Sequence, residues 1–278
     1  MQIRDYSLPA GWFPREKAAV TAFLSEFNKS GRKNTANAAI APHAGWYYSG
    51  RTAALAVSSL NPDAQTIVVI GGHLRGGSAP LFAMEDAART PFGAMRIDSH
   101  FRSLLIEKLH GEEDRFRDNT VEILLPMVHY FFPEAKLIWL RLGEDIDSFN
   151  SGKIISQTAA ELNIKINALA STDLTHYGAN YGFSPRGSGA DALRWVRENN
   201  DAAFIKAVQS GSGEEVLRRA QSDNSSCSAG AVLSAMGYAQ AEGLKNARLL
   251  EYSTSADADP DGGIPDSFVG YAALSFEK

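Results

Sequence analysis

Short apolar runs alternate with amphipathic stretches along most of this chain. Thr66–Ile70 (TIVVI) is β-branched at every position and predicts a strand buried on both faces. Ala38–Pro42 (AAIAP), Lys136–Leu142 (KLIWLRL) and Ile164–Ala170 (IKINALA) predict further strands. Pro14–Phe27 places Val20, Phe23, Leu24 and Phe27 on one helical face, and Pro14 suits a first turn. Helices are also predicted over Gly50–Leu60, His100–Leu109, Asp147–Ala160, Gly189–Val208, Gly213–Ala220 and Ser228–Ala241. Asn119-Thr120-Val121-Glu122 has capping-box spacing and opens a helix that ends before Pro133. Leu81–Met84 and Ala94–Ile97 read as a smaller strand pair around Arg89-Thr90-Pro91. Arg248–Thr254 and Phe268–Phe276 read as closing strands.

Strands alternating with helices predict an α/β fold, with a mainly parallel or mixed central sheet flanked by helices. No linker divides the chain, so residues 1–278 are expected to form a single domain. The glycine-rich Gly178–Gly189 reads as a surface or lid loop rather than a boundary.

Composition narrows the function. With 44% hydrophobic and 21% charged residues, the chain is neither disordered nor a coiled coil. Its 27 lysines and arginines against 32 acids give a net charge of −5, which argues against nucleic acid or an anionic membrane surface as partner. Val121–Leu140, the most apolar long stretch, contains Glu122, Pro126, Pro133, Glu134 and Lys136 and is not expected to span a membrane. The N-terminus has no basic segment followed by an apolar run, so no signal peptide is read. Cys227 is the only cysteine, which excludes an intramolecular disulfide and fits a reducing, cytoplasmic setting.

The chain has six histidines, and His43, His73 and His176 each follow a predicted strand. Ligands of open α/β sheets bind at the carboxyl ends of the strands, and imidazole serves there as metal ligand or acid/base group. The plain alternative is three loop histidines with no shared site. His100 and His110 bound a helix, and His129 falls in an apolar helical stretch; all three read as structural. Cys227 precedes a helix, where a thiolate is favoured, although a free cysteine is usually just a small buried apolar group. Asp173 and His176 share the run STDLTH, so Asp173 either caps a turn or orients a neighbour at a site. Trp46, Tyr47 and Tyr48 either wall an aromatic pocket or pack beneath the sheet edge. No nucleophile elbow, P-loop, H-E-x-x-H or C-x-x-C is present.

The run AIAPHAGWYYSG at 39–50 resembles the Memo family, also called AmmeMemoRadiSam system protein B. AGWFP at 10–14, RTPFGAMRID at 89–98, STDLTHYG at 171–178, the segment around Cys227 and the closing SFVGYAALSF match further family elements in the same order. The resemblance implies a fold similar to class III extradiol dioxygenases, which hold non-haem Fe(II) with two histidines and a carboxylate. It implies His43, His73 and Cys227 as metal ligands, a cysteine replacing the carboxylate. His176 then falls where the dioxygenases keep an acid/base histidine, with Asp173 beside it. Two departures stand out. IGGHLRGG around His73 is one residue shorter than the family pattern, and Asn119 and Leu124 occupy positions where the family has histidines.

The leading expectation is a redox enzyme using Fe(II), or copper, on a small aromatic-like molecule. One alternative is a binding or scaffold protein that takes a peptide or protein partner in the cleft. A second is a Zn-dependent hydrolase.

Overall fold

The computed structural model describes residues 1–29, 35–244, 247–259 and 263–277. Among the described residues, a nine-stranded mixed sheet runs through the molecule. Its centre is parallel: Ala38–Ala41 pairs with Ile166–Ser171, which pairs with Thr66–Leu74, which pairs with Lys136–Gly143. Antiparallel strands extend it on both sides. Ser267–Phe276 joins Ala38–Ala41, and Leu81–Phe82 joins Lys136–Gly143.

Alternate residues of the central strands feed two cores. Ile40, Val68, Ile70, Ile138 and Leu140 face one cluster, packed by the helices Asp147–Glu161 and Ala229–Ala241. Ala39, Ala41, Ile67, Val69, Leu137 and Trp139 face the other, with the helices Trp46–Ser58 and Leu125–Phe131. Burial on both faces is why these strands read as continuous apolar runs.

Several expected elements differ in detail. Leu81–Phe82 does not pair with the Ala94 region; Gly93–Arg96 instead forms a hairpin with Ala87–Thr90. The helix expected from Gly50 begins at Trp46. The helix expected from Asn119 divides into Asn119–Glu122 and Leu125–Phe131. Pro126 has no N–H to return to the preceding turn, so the helix restarts there. Its cap is Asp118, whose carboxylate accepts from Thr120 N–H at 2.8 Å, while Glu122 turns to other partners. The long helix over Gly189–Val208 contains a π-helical stretch, Val196–Asp201, which carries Asn200 and Asp201 against Thr175. The strand His176–Gly178 was not expected; it pairs antiparallel with Ser267–Val269.

No helix among the described residues is long and apolar enough to cross a membrane.

Candidate metal centre

The three parallel strands Ala38–Ala41, Thr66–Leu74 and Ile166–Ser171 end at the same edge of the sheet. His43 lies just beyond the first, His73 in the last residues of the second, and Asp173 and His176 beyond the third. Cys227 arrives from the segment leading into the helix Ala229–Ala241.

His73 reaches the site through a break in register. The pairing of its strand with Lys136–Gly143 shifts between Gly71 and Leu74, and His73 takes φ 57°. A bulge of this kind re-aims one side chain out of the pleat. The two preceding glycines make room for it. A Cβ on Gly71 would lie 2.1 Å from Thr120 Oγ1, and one on Gly72 would lie 2.4 Å from Ser228 Cβ.

One donor atom each from His43, His73 and Cys227 falls within 4.8 Å of the others. His43 Nε2 is 3.2 Å from Cys227 Sγ. The two imidazole rings meet edge to face, with centroids 4.9 Å apart. His43 is buried, Cys227 half-buried and His73 exposed, so the cluster opens to solvent on one side only.

Each ring is oriented from behind. His43 Nδ1 is 3.0 Å from Ser171 Oγ, and its backbone N–H donates to Asp173 Oδ1 at 2.7 Å. His73 Nδ1 is 3.0 Å from Asp118 Oδ2, which leaves its Nε2 to the sulfur. Asp118 is held in turn by Arg141 at 3.3 Å, and Arg141 by Asp114 at 3.2 Å. Arg141 Nε also donates to the Gly72 carbonyl at 3.0 Å, fixing the bulge itself.

Electrostatics follow this arrangement. Burial acts to raise the Cys227 thiol, but the imidazoles of His43 and His73 hold it well below its ordinary value. Burial acts to lower His73, but hydrogen bonds to Asp118 and Cys227 lift it to about 10. Burial would raise Asp118, yet His73, Thr120 and Arg141 keep it far below the usual carboxylate range. The arrangement thus favours the thiolate of Cys227 between the two imidazoles, the form in which a cysteine binds metal.

The donors fit a transition-metal ion. Two ligands at roughly 2.0 and 2.3 Å from one ion stand about 3.5 Å apart, close to the 3.2 Å between His43 Nε2 and Cys227 Sγ. Two imidazoles and one thiolate suit iron, copper or zinc and leave positions open for a ligand.

A cleft of about 850 Å³ lies over the cluster, lined in part by His43, His73, Asp173 and His176. Asp173 is placed against His43 rather than His176, its Oδ2 lying 3.9 Å from His43 Nε2. Burial raises its carboxyl despite the neighbouring imidazole. His176 stands on the cleft wall, its ring 5.0 Å from that of Tyr181. Tyr47 and Tyr48 line the cleft, whereas Trp46 turns into the core and donates to the Ile123 carbonyl at 3.0 Å. Asn119 lines the cleft and donates to the His43 carbonyl at 2.9 Å; Leu124 is buried in the core. His100 and His110 stand outside the cleft, and His129 bonds Thr90 Oγ1 at 2.6 Å.

Sequence reasoning did not single out Asp118 or Arg141. The D-x-T pattern ahead of the short helix was their only local trace.

The fold and the cluster together define an α/β protein with a His–His–Cys group at the floor of a sheet-edge cleft. A family model for Memo-like proteins matches residues 4–275, and the chain belongs to the Memo family. A MEMO1 family protein of Pyrococcus horikoshii is 28% identical, over 99% of this chain and 100% of its own length. One from Thermococcus onnurineus is 26% identical over 99% and 100%. One from Methanococcoides burtonii is 30% identical over 85% and 84%. Among solved structures, an uncharacterized protein of Escherichia coli K12 superposes with a TM-score of 0.48 at 12% identity. That match covers 85% of this chain and 98% of the other.

Proposed function

We propose that this protein holds one transition-metal ion, iron or copper, between His43, His73 and Cys227 and performs redox chemistry on a small aromatic molecule in the cleft above. The observation that carries the reading is the convergence of two imidazoles and one thiol within 4.8 Å beneath a cleft of about 850 Å³. A bound ion of this kind supplies electron transfer and polarises a ligand oxygen. The chain supplies the rest. Ser171 and Asp118 meet the Nδ1 atoms of the two imidazoles, and Asp173 anchors the His43 backbone. His176 is the cleft residue suited to move a proton to or from a bound hydroxyl group.

The test is oxygen uptake by Fe(II)-reconstituted protein offered simple catechols. Uptake should require His43 and fall by about 10²–10³-fold in His176→Gln, the range of general acid–base assistance. Stoichiometric metal with no oxygen uptake on any catechol would reject the redox assignment.

A further inference from the structure

Resting on the reading that a small molecule occupies this cleft, we propose that the cleft selects a ligand whose side group is cationic or neutral over one that carries an acid. No lysine or arginine lines it among the described residues. Apart from the histidines at its floor, the acids that line it are Asp173, buried against His43, and Asp259 at the rim, which is itself engaged within the protein. Apart from the histidines, the remaining polar lining is made of neutral hydroxyls and amides. Burial raises the phenols of Tyr181 and Tyr271 and keeps them in the neutral form.

The rim adds aromatic faces. Tyr47, Tyr48 and Tyr181 line the cleft and are 69%, 51% and 47% exposed. Tyr47 and Tyr48 meet edge to face with centroids 5.0 Å apart. Such faces attract an ammonium group and offer nothing to a carboxylate. An acid entering here would lose water and find no lysine or arginine among the described lining residues.

The helix Trp46–Ser58 begins at the cleft, and a helix N-terminus favours anions. Three of the donors in its first turn are engaged within the chain, however. Trp46 N–H bonds the Trp12 carbonyl at 2.8 Å, and those of Tyr48 and Ser49 bond the Gly45 carbonyl at 2.9 and 3.1 Å.

The test is calorimetric titration of the Zn(II)-loaded, redox-silent protein with three catechols that differ only in their tail. These are dopamine, 4-methylcatechol and 3,4-dihydroxyphenylacetate. Dopamine should bind most tightly and the acid about tenfold more weakly than dopamine, as expected for one cation–aromatic contact plus a carboxylate. Asp259→Lys should bring the acid level with the amine or ahead of it. An acid that binds the unaltered protein as tightly as the amine overturns the charge selection while leaving a small-molecule site in place. An unchanged ranking in Asp259→Lys overturns the assignment of that selection to this rim. Failure of all three to bind overturns both the selection and the small-molecule reading beneath it.

Discussion

His73 adopts φ 57° at a bulge, and its Nδ1 meets Asp118 Oδ2 at 3.0 Å. A non-glycine residue in this region stores backbone strain, which persists only where its surroundings enforce it. Here the enforcement is the buried ion pair chain from Asp118 through Arg141 to Asp114, with Arg141 also bonded to the Gly72 carbonyl. Asp118→Asn should therefore weaken metal binding about 10–100-fold, the usual effect of losing a carboxylate behind a ligating histidine. Asp118→Glu should recover part of it. Competition for Zn(II) against a chromophoric chelator measures this directly. Equal affinity in a folded Asp118→Asn protein would show that Asp118 does not orient the ligand.

One wall of the cleft depends on Glu122. The carboxylate is buried and accepts from the backbone N–H of Ser7 at 2.8 Å and of Leu8 at 3.1 Å. Arg15 lies 3.8 Å away, its guanidinium over the Tyr6 and Phe13 rings at 3.9 Å. These contacts hold the segment leading to Ala10, Gly11 and Trp12, which line the cleft. Glu122→Ala leaves those donors unpaired and should cost roughly 2–4 kcal/mol in urea denaturation. Glu122→Gln should cost less, since it keeps an acceptor. A loss within 0.5 kcal/mol for the alanine variant, about the noise of a surface change, would mean the segment is held by other contacts.

The helices Asp147–Glu161 and Ala229–Ala241 cross at backbone distance. A Cβ on Gly237 would lie 1.8 Å from the Phe149 carbonyl oxygen, and one on Gly152 would lie 1.9 Å from that of Ser234. Neither obstacle is a side chain that can swing aside. Gly237→Ala should destabilise by about 1–3 kcal/mol or more through overpacking, although alanine is the better helix former. Thermal melts of the variant check this. An unchanged midpoint would show that the two helices can separate without cost.

Stability should depend on pH through Asp201. Burial lifts its carboxyl to about 6 against the hydrogen bonds from Thr175 and Tyr252 that favour the charged form. The ordinary value is 3.8, so between there and about 6 the folded protein holds a proton that the unfolded chain has released. This contribution is fully present below 3.8 and is lost as pH rises through about 6. Asp201→Asn removes it. The stability of the variant relative to the unaltered protein should therefore rise between pH 4 and pH 7, by on the order of 2 kcal/mol. A difference that stays constant across that range would place the Asp201 carboxyl at its ordinary value.

The central strands were legible because burial on both faces demands unbroken apolar runs, and TIVVI and AAIA supply them. The same runs marked His43 and His73 as residues at the carboxyl edge of the sheet. Cys227 could not be joined to them by spacing, since it is 184 residues from His43 and arrives from another layer. Resemblance to a family named it; the fold brings it beside the imidazoles. The short strand His176–Gly178 escaped because three residues carry no period, and Gly178 at φ 108° reads as a turn. Asp118 escaped because its cap looked to begin at Asn119. Its bond to His73 crosses between segments that only the sheet brings together. The π-helical stretch left no pattern of its own, and the contacts it makes, Asn200 and Asp201 with Thr175, join segments distant in sequence.

The most direct test of the metal centre is elemental analysis of protein purified without oxygen or chelators, beside a Cys227→Ser variant shown to be folded. About one equivalent of iron or copper in the unaltered protein, falling sharply in the variant, is the predicted result. No transition metal in either protein, or equal metal in both, would contradict a site built from His43, His73 and Cys227.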